Sequence, residues 1–175
     1  MTLRVPRSEL SKILRHSAEA YPEECCGFLI GIGGPSLEVF EARRATNVHA
    51  EDRHTRYTVD PREQLRVEQE LSATRREVIG FCHSHPDHPG RPSAFALERS
   101  WPGYAYLIVE DRGDKALTAH SFRMDSETKT VREERVSVTH HQPAKSLRPN
   151  RGPPREHGRR KGRASGSGSG SQRLL

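Results

Sequence analysis

The stretch REVIGFCHSHPDHPGRPS, residues 76–93, begins as an apolar run and becomes a histidine-rich loop at Pro86. Val78, Ile79, Phe81 and Cys82 lie between charge on one side and proline on the other, the pattern of a short buried strand. His83 and His85 stand two apart at its end. Side chains two apart on a strand share a face, so both imidazoles can converge on one ion. Pro86 stops the strand just after them, which leaves the pair at a loop mouth open to water or substrate rather than in a core. An H-x-H pair is also what a polar strand end looks like, so by itself it does not identify a metal site.

The flanking sequence supplies the elements around this strand. Ser8 precedes a helical pattern with Leu10, Ile13, Leu14 and Ala18, ended by Tyr21-Pro22, which predicts a helix over 8–20. CCGFLIGIG reads as a buried strand and SLEVFEARRAT as its hairpin partner across a GGP turn. Residues 45–59 are polar and irregular. Asp60-Pro61 then opens a second helix, PREQLRVEQELSATR, with Leu65, Val67 and Leu71 on its apolar side. Beyond the histidine loop, Ser93 is placed to cap a short helix AFALERS, and AYLIVED, KALTAHSFRM and TVREERVSV read as three further strands. The order αββαβαβββ predicts an α/β sandwich, its sheet mostly antiparallel late in the chain.

Zinc hydrolases use three protein ligands, an open position for water and a carboxylate that takes the water's proton. Glu24 lies just before the CCGFLIG strand, which would carry its carboxylate to the histidines if the two strands are neighbours. The other reading of Glu24 is a solvated charge at a helix end, as expected of Glu23 beside it. The place for a third ligand is one turn into the helix that starts at Ser93, and it holds Ala96. Asp87 and His88 in the loop, and Glu98 on the helix, are poorly placed to substitute for it.

Glu24-Cys25-Cys26-Gly27 as E-x-x-G, and His83-Ser84-His85-Pro86 followed by six residues and Ser93, closely resemble the JAMM (MPN+) zinc metallopeptidases. The likeness runs from about residue 1 to 137, and WPGYAYLIV is similar to the bacterial branch that acts on ubiquitin-like and sulfur-carrier proteins. The resemblance implies an MPN domain, a cytidine-deaminase-like α/β sandwich with a mixed, mostly antiparallel sheet flanked by helices. It implies Zn2+ held by His83 and His85, with Glu24 as general base and Ser93 steadying the oxyanion of the tetrahedral intermediate. The reaction implied is cleavage after the C-terminal tail of a ubiquitin-like or sulfur-carrier protein, that tail adding along a sheet edge beside the site. The family's third ligand is an Asp three residues after the serine, where Ala96 stands. With every other motif residue intact, this predicts an impaired site, read as a substitution that inactivates while the substrate is held, natural inactivation being the alternative. A non-catalytic MPN module that binds a ubiquitin-like partner is the alternative function.

The net charge of +6 is unevenly spread. Residues 143–175 carry nine Lys/Arg and one acid, whereas residues 1–142 carry 20 Lys/Arg and 22 Asp/Glu, a balance of −2. The tail is rich in Pro, Gly, Ser and Arg and has almost no apolar side chains before its final Leu-Leu, so it cannot bury enough surface to fold. The division expected is a JAMM/MPN domain over 1–140 and a disordered basic tail over 141–175, in which SGSGSGS, residues 165–171, has the composition of a flexible linker. RRKGR could touch nucleic acid, but without interleaved aromatics a solvated linker is the better reading. The sequence carries no apolar run of membrane-spanning length and no secretory signal. Three cysteines, two of them adjacent, suit reduced thiols, so a cytoplasmic protein is expected. Removing residues 143–175 should leave the thermal midpoint unchanged in a calorimetric scan; a drop of several degrees would mean that the tail docks on the domain.

Overall fold

The structure, a computed structural model, describes residues 1–93, 100–113, 117–125 and 127–140. Its elements are β1 (Thr2–Pro6), α1 (Arg7–Ala20), β2 (Cys26–Ile32), β3 (Ser36–Ala45), α2 (Pro61–Leu71), β4 (Glu77–Pro86), β5 (Ala105–Asp111), β6 (Thr118–Met124) and β7 (Val131–Thr139). Alternate side chains of β2 enter different cores. Leu29 joins Leu3, Val5, Leu37, Val39, Leu107 and Ile13 of α1, while Phe28 and Ile30 join Val78 with Val67 and Leu71 of α2. A strand covered on both faces has no cause to alternate with polar residues, hence the unbroken apolar CGFLIGI.

The strands run in the order β1-β3-β2-β4-β5-β6-β7, and β1 pairs with β7 to close a barrel. The α/β class and the mixed sheet agree with expectation, four of the seven pairings being antiparallel and β1–β3, β1–β7 and β4–β5 parallel. The sandwich is corrected to a closed barrel. The closing element is β1, whose TLRVP is too short and too mixed to announce a strand, yet Leu3 and Val5 are fully buried. Gly80 lets β4 and β5 approach closely, since a Cβ there would lie 2.2 Å from the Ala105 carbonyl oxygen. Closure gives each described strand a neighbour on both sides, but not along its whole length: β3 meets β1 only over Ser36, Leu37 and Glu38, and runs on beside β2 alone to Ala45.

Both helices differ in detail from their patterns. The first begins one residue early, after Pro6, with no side-chain cap, and buries Glu9 and Ser17 as well as Ile13. Glu9 accepts a hydrogen bond from the Ala42 amide at 2.9 Å and pairs with Lys12 at 2.8 Å, fastening α1 to β3. Ala18 is exposed. In α2, Asp60 caps the Arg62 amide and Pro61 fills the first turn as expected, and Val67 and Leu71 are buried. Leu65 is 56% exposed, because two residues along a helix turn a side chain some 200° away from Val67. The short helix expected over AFALERS and the tail beyond residue 140 lie outside the described residues.

Between β6 and β7 the Arg123 guanidinium pairs with the Glu134 carboxylate, which also accepts the Ser121 hydroxyl at 3.0 Å, and all three residues are buried. Arg123→Met leaves Glu134 buried without its cation and should cost about 3–5 kcal/mol, read as a lower urea midpoint at unchanged slope. Replacing both residues by methionine should recover most of that loss.

Candidate active site

Cys26 stands opposite His83 in the antiparallel pairing of β2 and β4. Continuing the register by two residues sets Glu24 opposite His85, on the face that His83 shares. Ser84, between the histidines, points the other way and is fully buried. Its backbone amide donates to the Cys25 carbonyl at 3.1 Å, and its hydroxyl accepts the Cys25 amide at 2.8 Å. This double bond carries the strand pairing past the end of β2 and fixes the chain on which Glu24 sits.

The three expected residues converge. His83 Nε2 and His85 Nε2 are 3.2 Å apart, and His85 Nε2 is 4.0 Å from Glu24 Oε1. Two metal–nitrogen bonds of about 2.0–2.1 Å at a tetrahedral angle would place their nitrogens about 3.3 Å apart, so the pair fits one zinc ion. The Pro89 carbonyl accepts from His85 Nδ1 at 2.8 Å, which leaves the lone pair on Nε2, the tautomer a ligand needs. Burial, and then the neighbouring His85, hold the His83 ring well below the usual histidine range; burial also lowers His85. Both imidazoles are thus neutral and able to donate lone pairs. His83 Nδ1 is buried without a hydrogen-bond partner.

Glu24 is 5% exposed, and burial, with a smaller push from Asp52, raises its carboxyl to about 8. Glu23 faces solvent and reaches Arg53 at 3.7 Å, as the bland reading of that position expects. Ser93 joins Glu24, His83 and His85 in lining one cavity of about 530 Å³. Ala96 and Glu98 lie outside the described residues. Asp87 is turned to the Tyr21 hydroxyl at 3.0 Å. Among the described residues no three His, Cys, Asp or Glu side chains are gathered as a metal centre.

One expectation about exposure is corrected. His85 does open on the cavity, but His83 is only 2% exposed, because Tyr57 stacks on its ring at a centroid distance of 4.4 Å. Tyr57 belongs to the polar segment 45–59, which forms one wall with His49, Arg56, Thr58 and Val59, while Phe81, Trp101 and Tyr106 form the other. Nothing in the periodicity marks that segment; the signal available is a tyrosine and a valine just before the Asp60-Pro61 helix start. Ser84→Ala strips the acceptor from a buried amide and should cost about 1–3 kcal/mol in chemical unfolding, whereas an unchanged midpoint would mean that the Cys25 amide finds another partner.

Residues 6–125 match the family described as prokaryotic homologs of the JAB domain. A desampylase of Haloferax volcanii is 38% identical over 118 residues, covering 65% of this chain and 82% of that relative. A desampylase of Pyrococcus furiosus is 34% identical over 133 residues, covering 74% and 90%. Among solved structures, a protein of Desulfitobacterium hafniense superposes with a TM-score of 0.69 at 26% identity, covering 81% of this chain and 94% of the other. A protein of Salinibacter ruber does so with a TM-score of 0.57 at 35% identity, covering 79% and 92%. With the motif spacing, the barrel and these matches in agreement, the chain belongs to the prokaryotic JAB branch of the JAMM/MPN family.

Proposed function

We propose that the domain over residues 1–140 is a zinc metallopeptidase of the isopeptidase type, acting after the C-terminal tail of a ubiquitin-like or sulfur-carrier protein and impaired by Ala96. The observation that carries this reading is the approach of His83 Nε2 and His85 Nε2 to 3.2 Å with the Glu24 carboxylate 4.0 Å from the latter. Relatives named desampylases, enzymes by that name, support it. His83 and His85 would hold the metal. Zinc, when bound, polarises the scissile carbonyl and acidifies the attacking water.

The remaining work falls to side chains of this chain. Glu24 takes the proton of the attacking water and returns it to the leaving amine, and its burial, which raises its proton affinity, suits that task. The Ser93 hydroxyl, at the cavity wall, donates to the oxygen on which negative charge develops. Tyr57, Phe81 and Tyr106 shape an apolar approach that accepts an extended, small-residue tail. Such a tail would run along the cavity beside the segment 45–59, whose residues line it. Ala96 withholds a carboxylate ligand, which favours weak metal binding and leaves a partner-binding module of the same fold as the second reading. Three free, buried cysteines suit a cytoplasmic setting, and no helix among the described residues is long and apolar enough to cross a membrane.

The purified chain should hold less than one zinc per molecule, and Ala96→Asp should raise the content to about one, measured by elemental analysis. Cleavage after a ubiquitin-like tail should accompany it, and Glu24→Gln in that background should abolish cleavage with zinc retained. Full zinc loading without cleavage of any tail in a panel of ubiquitin-like proteins favours the binding module. Unimproved zinc content in Ala96→Asp would remove His83 and His85 as ligands.

A further inference from the structure

Asn47 lies in the segment 45–59, and its carboxamide uses its whole hydrogen-bonding capacity within the site. Nδ2 donates to the Glu24 carbonyl at 3.0 Å and to the Arg56 carbonyl at 3.1 Å. Oδ1 accepts the amides of His49 and Thr58, each at 3.1 Å. Arg56 and Thr58 flank Tyr57, so one side chain grips the peptide groups on either side of the ring that covers His83. The same side chain grips the backbone of the buried carboxylate. The Glu24 amide in turn donates to the Arg53 carbonyl at 2.7 Å, so both backbone polar groups of Glu24 are held by this one segment.

The two ends of the segment meet at one isolated bridge, Asn47 to Val59, with the Val48 amide on the Thr58 carbonyl at 2.9 Å and His49 Nδ1 against Thr58 Oγ1 at 3.0 Å. Other bonds hold its margins and its tip: Thr46 to Glu63, Asp52 to the His54 amide and the Thr55 hydroxyl, and His54 Nδ1 to the Pro22 carbonyl. Of the side chains in the segment, Asn47 is the one whose bonds reach both Glu24 and the peptide groups flanking Tyr57. Without a strand ladder, backbone groups in such a segment need side-chain partners, and an asparagine can serve two donors and two acceptors at once. Aspartate cannot donate and leucine can do neither, so the requirement is for the amide itself.

We infer that Asn47 is a positioning residue that fixes Glu24 and, through Tyr57, His83, coupling the proposed base to a proposed metal ligand. The roles named rest on the peptidase reading; the coupling itself rests on the hydrogen bonds alone. The hydrogen bonds of Asn47 go to backbone groups of Glu24, Arg56, His49 and Thr58, so it acts through its neighbours.

The test uses the full chain, with two variants. Asn47→Asp keeps both acceptor contacts and loses both donor contacts; Asn47→Ala loses all four. In metal-free protein, NMR should show the His83 ring protons, shielded by Tyr57 in the parent, moving to their position in Tyr57→Leu in both variants, and the Glu24 side-chain carboxyl resonance moving as well. Leu37→Ala, which loosens the other core cluster, one that includes no residue of the segment, serves as the control and should leave these resonances in place. In a competition titration with zinc alone and a chromophoric chelator, both Asn47 variants should bind about 10-fold or more weakly than the parent. His83 and Glu24 resonances that stay at parent positions in both Asn47 variants overturn the inference. So do shifts of equal size in Leu37→Ala, which would mean a general loosening. If neither the parent nor Ala96→Asp binds zinc while the resonances move as expected, the coupling stands and the metallopeptidase reading fails.

Discussion

Cys25 and Ser84 exchange two hydrogen bonds beyond the last paired residues of β2 and β4, one backbone to backbone and one through the serine hydroxyl. The site depends on this contact. A strand side chain changes face with each residue, so a slip of one in this register would turn Glu24 away from His83 and His85 altogether. Ser84 is therefore as necessary to the arrangement as the histidines on either side, although it points away from them. The apolar cores above and below the sheet lock the same register from both sides, Phe28 and Ile30 against α2 and Leu29 against the cluster that includes α1.

Burying a carboxylate and two imidazoles is unfavourable unless something stabilises their charged or lone-pair forms. In this domain the protein contacts meet only part of that need. His85 has the Pro89 carbonyl, His83 has the face of Tyr57, and Glu24 is held by its backbone while its carboxyl is pushed up to about 8. The contrast with Glu134 is instructive, since that equally buried carboxylate has Arg123 and Ser121 on it. A structural acid is saturated with donors. Glu24 is left with high proton affinity beside two imidazoles, a perturbation that agrees with the role proposed for it.

Much of this was legible in the sequence because it depends on local spacing. The i, i+2 histidines, the strand-ending proline, the buried run CGFLIGI and the capped helix start at Asp60-Pro61 each follow from periodicity or backbone restriction within a few residues, and each is found where expected. What stayed hidden depends on partners distant in the chain. β1 is a strand only because Thr2–Pro6 finds β3 and β7, and barrel closure follows from it. The segment 45–59 has no period, so neither the cover that Tyr57 places over His83 nor the fourfold use of Asn47 could be read from it. Leu65 failed for a different reason: its hydrophobicity was counted toward a helix face that its angular position does not share with Val67 and Leu71.

The parallel neighbour of the histidine strand brings two further acids close to the pair. His85 stands beside Glu110, and Pro86 beside Asp111, in the β4–β5 register. Ligand sites gather at the carboxyl ends of adjacent parallel strands, so two acids there invite a metal-binding reading. Both are committed elsewhere. Glu110 accepts the Gly90 amide at 3.1 Å and Arg112 Nε at 2.8 Å, which braces the loop whose Pro89 carbonyl orients His85. Asp111 accepts the Ser17 hydroxyl at 2.6 Å and the Gly113 amide at 3.0 Å on the opposite face, tying α1 to the end of β5. To recruit either carboxylate, the chain would have to strip donors from a buried or bracing group and loosen the very loop that aims His85. The geometry thus keeps both carboxylates for bracing the chain around the histidines.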